Sequence, residues 1–588
     1  MTKPTESFRE EKHEADFCVV GGGLAGLCAA LSAARHGAKV VLMQDRPVLG
    51  GNASGEIRVH ICGADRHNSI KNMRETGILE ELRLENLCRN PNKNYSVWDT
   101  ILYERALYQE NLTLLLNCSC TDAEMDGDRI ASVSGWQLTT QTHHKVSAAI
   151  FADCSGDGIL APLTGAEFRV GREARSEYGE SIAPEEADSR TMGMTCHFQA
   201  RQYETPQPFD PPSWAHRFTD CDEMPYGENG HRWWTQGYWW IELGGECDSI
   251  HDTERLRDEL LKITYGVWDH IKNRCRHRAE AANWALDWIQ FLPGKRESRR
   301  YIGDHVLTQL DVETGGRFDD TVAYGGWTMD DHHPAGFWSV KIGAPATIFH
   351  PAASPYGIPY RALYSKNVAN LMFAGRVASC THAAMSSARV MGTCSSMGQA
   401  VGTAAAVATR QGLLPRDMNG RLHALQQALL KDDCYLPGVV QEFSRVTRDA
   451  RLSASRGDPE PLRDGINRPV GDDLHCWQCR PGDHVAYEFD RPEPIERITL
   501  ILDSALDKNI QMSHHQKDDQ LTSPPDVLPR GFRVEGLTGG NWTELARVKN
   551  NCQRLVRLPI GRRLDAVRFV LDGTWGAKET KVYAFYLL

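Results

Sequence analysis

The chain has 588 residues, too many for one hydrophobic core, so two or more domains are expected. Its formal net charge of −11 offers no electrostatic footprint for nucleic acid or for an anionic membrane surface. The longest apolar stretches, Ala148–Ala152 and Ala400–Ala408, are too short to span a bilayer. The polar segment from Met1 to Lys12 lacks the apolar core of a secretory signal and reads as a loose leader to a cytoplasmic protein. The 17 cysteines are odd in number and scattered, several of them inside apparent strands or helices (Cys18, Cys28, Cys154, Cys394); this suits reduced, buried thiols better than a disulfide framework.

The first element is an apolar strand from Phe17, followed at once by Gly21-Gly-Gly-Leu24-Ala25-Gly26 and a helix of small residues. Gly21, Gly23 and Gly26 have G-x-G-x-x-G spacing: a tight turn, a backbone open to a pyrophosphate, and close packing of helix on strand. Lys39–Gln44 reads as the second strand, ending where a ribose-binding group is expected; that position offers Gln44, with Asp45 one step later. Arg46-Pro-Val-Leu-Gly50-Gly51-Asn52-Ala-Ser54 then supplies a second glycine pair, which a simple NAD-binding unit does not need. FAD is therefore the expected cofactor. His60, close behind that pair, stands where some flavoproteins attach the ring covalently.

Helices are expected over Glu75–Leu87 and Trp98–Glu110, a buried strand from Leu112, and a hairpin leading to a strand that ends in Asp153-Cys-Ser-Gly156-Asp-Gly. From 171 to 364 the chain is rich in Trp, Tyr, Pro and His, as expected of an α+β substrate domain inserted over the cofactor. Residues 365–412 return to the first domain, through a strand ending in Gly375-Arg376 and a small-residue helix containing Met391 and Gly392. A helical linker, 413–466, precedes short alternating strands over 467–588, read as an all-β sandwich. The fold class expected is α/β, with a Rossmann-like domain in residues 1–170 and 365–412.

Taken together these landmarks resemble the FAD-dependent oxidoreductase family whose cofactor domain is built like that of glutathione reductase and fumarate reductase. The resemblance runs from Asp16 to Thr409 and includes Arg296-Glu-Ser-Arg-Arg-Tyr-Ile-Gly-Asp and Phe373-Ala-Gly-Arg. It implies bound FAD and redox chemistry. At Gly375-Arg376 the chain departs from many relatives, which place an acid on the flavin ribityl chain there. The tail resembles discoidin-like, galactose-binding-type sandwiches through its strand rhythm and Asn541-Trp-Thr-Glu-Leu.

A flavin enzyme that oxidises an alcohol needs a base for the hydroxyl proton. His332 and His333, beside Asp330 and Asp331, and His382, before the small-residue helix, are the candidates. Arg58, Arg361 and Arg389 could clamp a carboxylate or polarise a carbonyl. The run Trp233, Trp234, Tyr238, Trp239, Trp240 could stack on sugar rings or form core. No metal site is read: adjacent histidines on a strand diverge, and Cys476-x-x-Cys479 lacks a second ligand cluster. The expectation is dehydrogenation of a CH–OH group on a sugar or sugar-like acid. Its rivals are redox chemistry at a C–C bond beside a carboxylate, and a non-catalytic carbohydrate-binding flavoprotein; the oligomeric state is left open.

Overall fold

The computed structural model describes residues 8–513 and 519–588. Strand β1, Arg9–Val20, starts well inside the segment read as a loose leader, because residues 9–12 pair in register with Thr142–Lys145. After it come helix α1 (Leu24–Arg35) and strand β2 (Val40–Met43), then helices α2 (Ile78–Arg89) and α3 (Tyr95–Leu107). Strands β3 (Leu112–Leu115), β4 (Cys118–Asp126), β5 (Arg129–Gln137) and β6 (Thr142–Asp153) complete the first sheet, in the order β3-β2-β1-β6-β5-β4. β3, β2, β1 and β6 run parallel, β5 and β4 form an antiparallel arm, and Leu371–Phe373 returns to pair with β6 in parallel. The C-terminal ends of β1, β2 and β6 therefore open on one side, where a doubly wound sheet places its ligand.

α1 packs on the long helix Met391–Gln411, and two glycines set the approach. A Cβ on Gly398 would lie 2.0 Å from the Ala25 carbonyl oxygen, and one on Gly402 would lie 2.0 Å from that of Ala29. The small residues of this helix are thus explained by helix contact along its length.

The inserted region has a separate core built on Phe198, Phe218, Tyr238, Trp240, Trp268 and Phe337 around helix Thr253–Asp269. Trp240 and Tyr238 are buried there, so two members of the aromatic run are core residues and no sugar platform forms from the run as a whole. The tail is an antiparallel sheet folded over a core that includes Trp477, Phe532, Phe569 and Phe585. His484–Leu502 and Leu555–Thr574 are each one long strand where the sequence reads two, because the register shifts between Glu488 and Glu493 while pairing continues. Cys479 packs in that core and Cys476 beside it, both as free thiols.

The sequence expects a separable tail and no disulfide; the structure has Cys88, in α2, bonded to Cys552 across 464 residues. A partner that distant leaves no spacing signal. Buried ion pairs add to the docking. Arg554 Nε lies 2.7 Å from Asp433, and Arg74, held by Glu80, donates to the carbonyls of Ser504 and Ala505. Among the described residues, no helix is long and apolar enough to cross a membrane.

Candidate functional site

A cavity lies at the C-terminal end of the parallel strands, lined by Gly21, Gly23, Leu24, Ala25 and the Gly50-Gly51-Asn52 turn. Gly156, Gly375, Arg376, Arg389 and Met391 line its other side, so most of the residues expected at a cofactor meet around one space. Gly21 has φ +101, and a Cβ there would sit 2.5 Å from the backbone of Cys154. Gly26 is the packing glycine, since a Cβ would lie 1.8 Å from Gly21 O. Gly23 is different: nothing comes closer to its missing Cβ than Gly51 Cα at 3.9 Å. α1 begins at this open glycine with no side-chain cap and no acid in its first turn, which leaves its amides and positive dipole end toward the cavity. The helix Met391–Gln411 also starts uncapped at the cavity wall.

Several expected residues stand behind the lining. Asp153 accepts hydrogen bonds from the amides of Ser155 and Leu160, from Ser155 Oγ and from Tyr301 Oη, at 2.7–2.9 Å, so its carboxylate is spent holding the strand-end turn. Ser54 is buried in the turn that its amide closes on Gly51 O, and Gly392 donates its amide to Cys62 O. Gln44 reaches the cavity, but its Oε1 accepts the Gly22 amide at 2.6 Å and its Nε2 donates to Val48 O. The exposed carboxylate at that edge belongs to Asp45.

Asp157, the second acid of the Asp153-Cys-Ser-Gly-Asp motif, is not among the residues expected at the cofactor. Asp157 lines the cavity, accepts from Lys295 Nζ at 2.7 Å and lies 3.8 Å from Arg376. Those two cations hold its carboxyl below the usual range despite burial. Arg376 therefore brings positive charge to the wall where relatives were expected to bring an acid, with Asp157 beside it.

Beside the cavity run two buried carboxylate–histidine–carboxylate chains. His332 Nδ1 faces Glu242 at 2.5 Å and its Nε2 faces Asp330 at 3.4 Å. His382 Nδ1 faces Glu297 at 2.8 Å and its Nε2 faces Asp331 at 3.1 Å. Strand alternation explains the pairing: on Met329–His332, Asp330 and His332 share one face, and Asp331 takes the other. Burial disfavours charge on His382, but Glu297 and Asp331 together outweigh it and push the ring up to about 10. His382 is thus an imidazolium at neutral pH with both nitrogens engaged, which removes it as a base. His333 sits in the following turn, where its Nδ1 accepts the Ala335 amide.

Arg389 joins the first chain to the cavity. It lines the wall, donates from Nη2 to Asp330 O at 3.0 Å, and has its Nε buried without a hydrogen-bond partner among the described residues. Asp330 is held well below the usual carboxylate range: burial opposes this, but His332, Arg389 and Arg296 outweigh it. Arg361 instead pairs with Asp320, and Arg58 stacks on Trp288 and Tyr95. Glu242 and Glu297 had a faint sequence signal, each an acid beside an aromatic or basic run. His60 lies beside His67 and does not line the cavity.

A family model described as FAD dependent oxidoreductase matches residues 16–429. No curated protein matches the chain. Among solved structures, the family 32 carbohydrate-binding module from Streptococcus pneumoniae EndoD is 12% identical and covers 25% of this chain and 99% of its own, with a TM-score of 0.19. L-proline dehydrogenase from P. horikoshii is 17% identical and covers 26% of this chain and 24% of its own, with a TM-score of 0.16. Overlaps this slight say nothing about ligand or activity. The cavity itself fits FAD: an open glycine at an uncapped helix start suits a pyrophosphate, and a second uncapped helix starts at the wall beside Arg389.

Proposed function

The chain belongs to the FAD-dependent oxidoreductase family, and on that premise we propose that it dehydrogenates a CH–OH group of a sugar or sugar-like acid. When bound, FAD supplies the ring that accepts hydride from the substrate carbon. Gly21, Gly23 and the α1 amides would hold the pyrophosphate, Asp45 the ribose end, and Asp157 with Arg376 and Lys295 the middle of the cofactor. The protein's own contribution is the proton. Glu242 accepts Nδ1–H of His332 and holds the ring against Asp330, and the His332–Asp330 pair takes up the hydroxyl proton. Arg389, which donates to Asp330 O, orients the substrate oxygen. His382, already charged, keeps Asp331 and Glu297 in place.

The observation that carries this reading is the Glu242–His332–Asp330 chain ending on Arg389 at the cavity wall. The test is anaerobic stopped-flow bleaching of the full-length yellow protein by sugars, sugar acids and dicarboxylates. A sugar-class substrate should bleach it, and His332→Ala should slow bleaching by about 10² to 10⁴-fold with FAD still bound. An unchanged rate in that variant would move the base elsewhere. The partnerless Arg389 Nε favours a second reading, redox chemistry at a C–C bond beside a carboxylate. Bleaching by dicarboxylates alone, lost in Arg389→Gln, would select it.

A further inference from the structure

Away from the cavity, four side chains in the inserted region converge on one point. Cys221, His231, His270 and Cys275 each offer a donor atom, and all four atoms lie within 4.8 Å of one another. We propose that they bind one structural Zn²⁺ ion. Zinc takes Cys₂His₂ sets tetrahedrally, and its bond lengths of about 2.3 Å to sulfur and about 2.0 Å to nitrogen put neighbouring S and N atoms about 3.5 Å apart. Here Cys221 Sγ is 3.6 Å from His231 Nε2 and 3.4 Å from His270 Nε2, and Cys275 Sγ is 3.4 Å from His231 Nε2.

The second ring nitrogens give an independent indication. His231 Nδ1 lies 2.9 Å from Gly227 O, and His270 Nδ1 lies 3.1 Å from Phe218 O. A carbonyl can only accept, so each Nδ1 carries the hydrogen and each Nε2 turns a lone pair toward the sulfurs; this is how metal-bound histidines are oriented. Local backbone is also bent to the task. Helix Thr253–Asp269 ends in a π-helical turn, His270–Arg274, closed by the Cys275 amide on His270 O at 2.7 Å, which brings both downstream ligands to the same place.

On binding, each cysteine loses its proton to solvent, so two thiolates cancel the charge of the ion and a neutral group occupies a mostly buried position. Four protein ligands leave no open coordination position, and none of the four lines the cavity, so the role is structural. The ion would pin the two short turns from Cys221 to His231 onto the helix end. That stretch leads directly to Trp239, edge-on to His332, and to Glu242, which orients it. The order C-x₉-H then H-x₄-C, split by 38 residues, matches no short spacing pattern, so the sequence carries no local signal of a metal site.

Elemental analysis of the full chain, purified without a metal-affinity tag from zinc-supplemented cells, should find about one zinc per chain. The Cys221→Ser/Cys275→Ser double variant should lose at least nine-tenths of it. Should that variant fail to fold, cobalt exchange into the unmodified protein provides the second measurement. Tetrahedral cobalt thiolate absorption at one equivalent, with two thiols protected from alkylation, supports the site. Folded protein with less than a tenth of an equivalent of zinc and no cobalt spectrum would overturn it. So would a Cys221–Cys275 disulfide in the isolated protein, or full zinc retention by the double variant.

Discussion

Histidine chemistry here is decided by what each ring faces. In the sequence His332 follows two acids and His382 has none nearby, yet in the fold His382 lies between two carboxylates that both come within 3.1 Å. Its folded value of about 10 stands above the ordinary 6.5, so its stabilising charge is complete below about 6.5 and drains as pH rises toward about 10. His382→Ala removes the cation between Glu297 and Asp331, leaving Arg300 on Glu297 and no histidine on Asp331. The expected cost is about 3 kcal/mol at pH 7, shrinking as pH approaches 10, read from denaturant melts of both proteins. Equal stability at pH 7 would mean that the ring is neutral, and would restore it as a candidate base.

At the scale of the strand–turn–helix element, the three fingerprint glycines separate into different kinds. Gly26→Val must push a side chain into Gly21 O, and Gly21 needs a left-handed backbone, so both positions are requirements of the fold. Gly23 has φ −60 and empty space where a Cβ would go. Gly23→Val should therefore fold, with normal far-ultraviolet circular dichroism, and be colourless because its methyls occupy pyrophosphate space. Gly26→Val should lose both fold and colour. A yellow Gly23→Val protein would place the dinucleotide elsewhere. The spacing was legible in the sequence because the turn, the close approach and the packing are all local.

For the whole molecule, the tail is docked on the rest of the chain through covalent and ionic contacts. Beyond the Cys88–Cys552 bond and the Arg554–Asp433 pair, Arg468 donates to the carbonyls of Asn72 and Arg74 and to Thr76 Oγ1, beneath the segment that leads to α2. Ending the chain at Gly465 strips these partners and leaves Asp433 a bare carboxylate in former core, a loss of about 3 to 5 kcal/mol from that group alone. The fragment 1–465 should be aggregation-prone and bind no FAD, as measured by light scattering and by flavin released on denaturation. A soluble yellow fragment with an unchanged melting temperature would show the tail to be dispensable for the fold.

The sequence by itself determined what local rules control: the glycine cradle, the alternation of parallel strands and helices, FAD as the cofactor, the strand rhythm of the tail. Each rests on residues within a few positions of one another, where backbone sterics and side-chain periodicity suffice. Tertiary structure decided what depends on residues far apart in the chain. Asp153 and Asp157 belong to one short motif, but only the fold turns the first into the turn and the second into the cavity. Glu242 meets His332 across 90 residues and Glu297 meets His382 across 85, so proton affinities that hinge on those contacts were invisible in either stretch alone. The Cys88–Cys552 bond and the Cys221–His231–His270–Cys275 cluster have the same origin: covalent and coordinate bonds require proximity in space, and separation along the chain does not encode it.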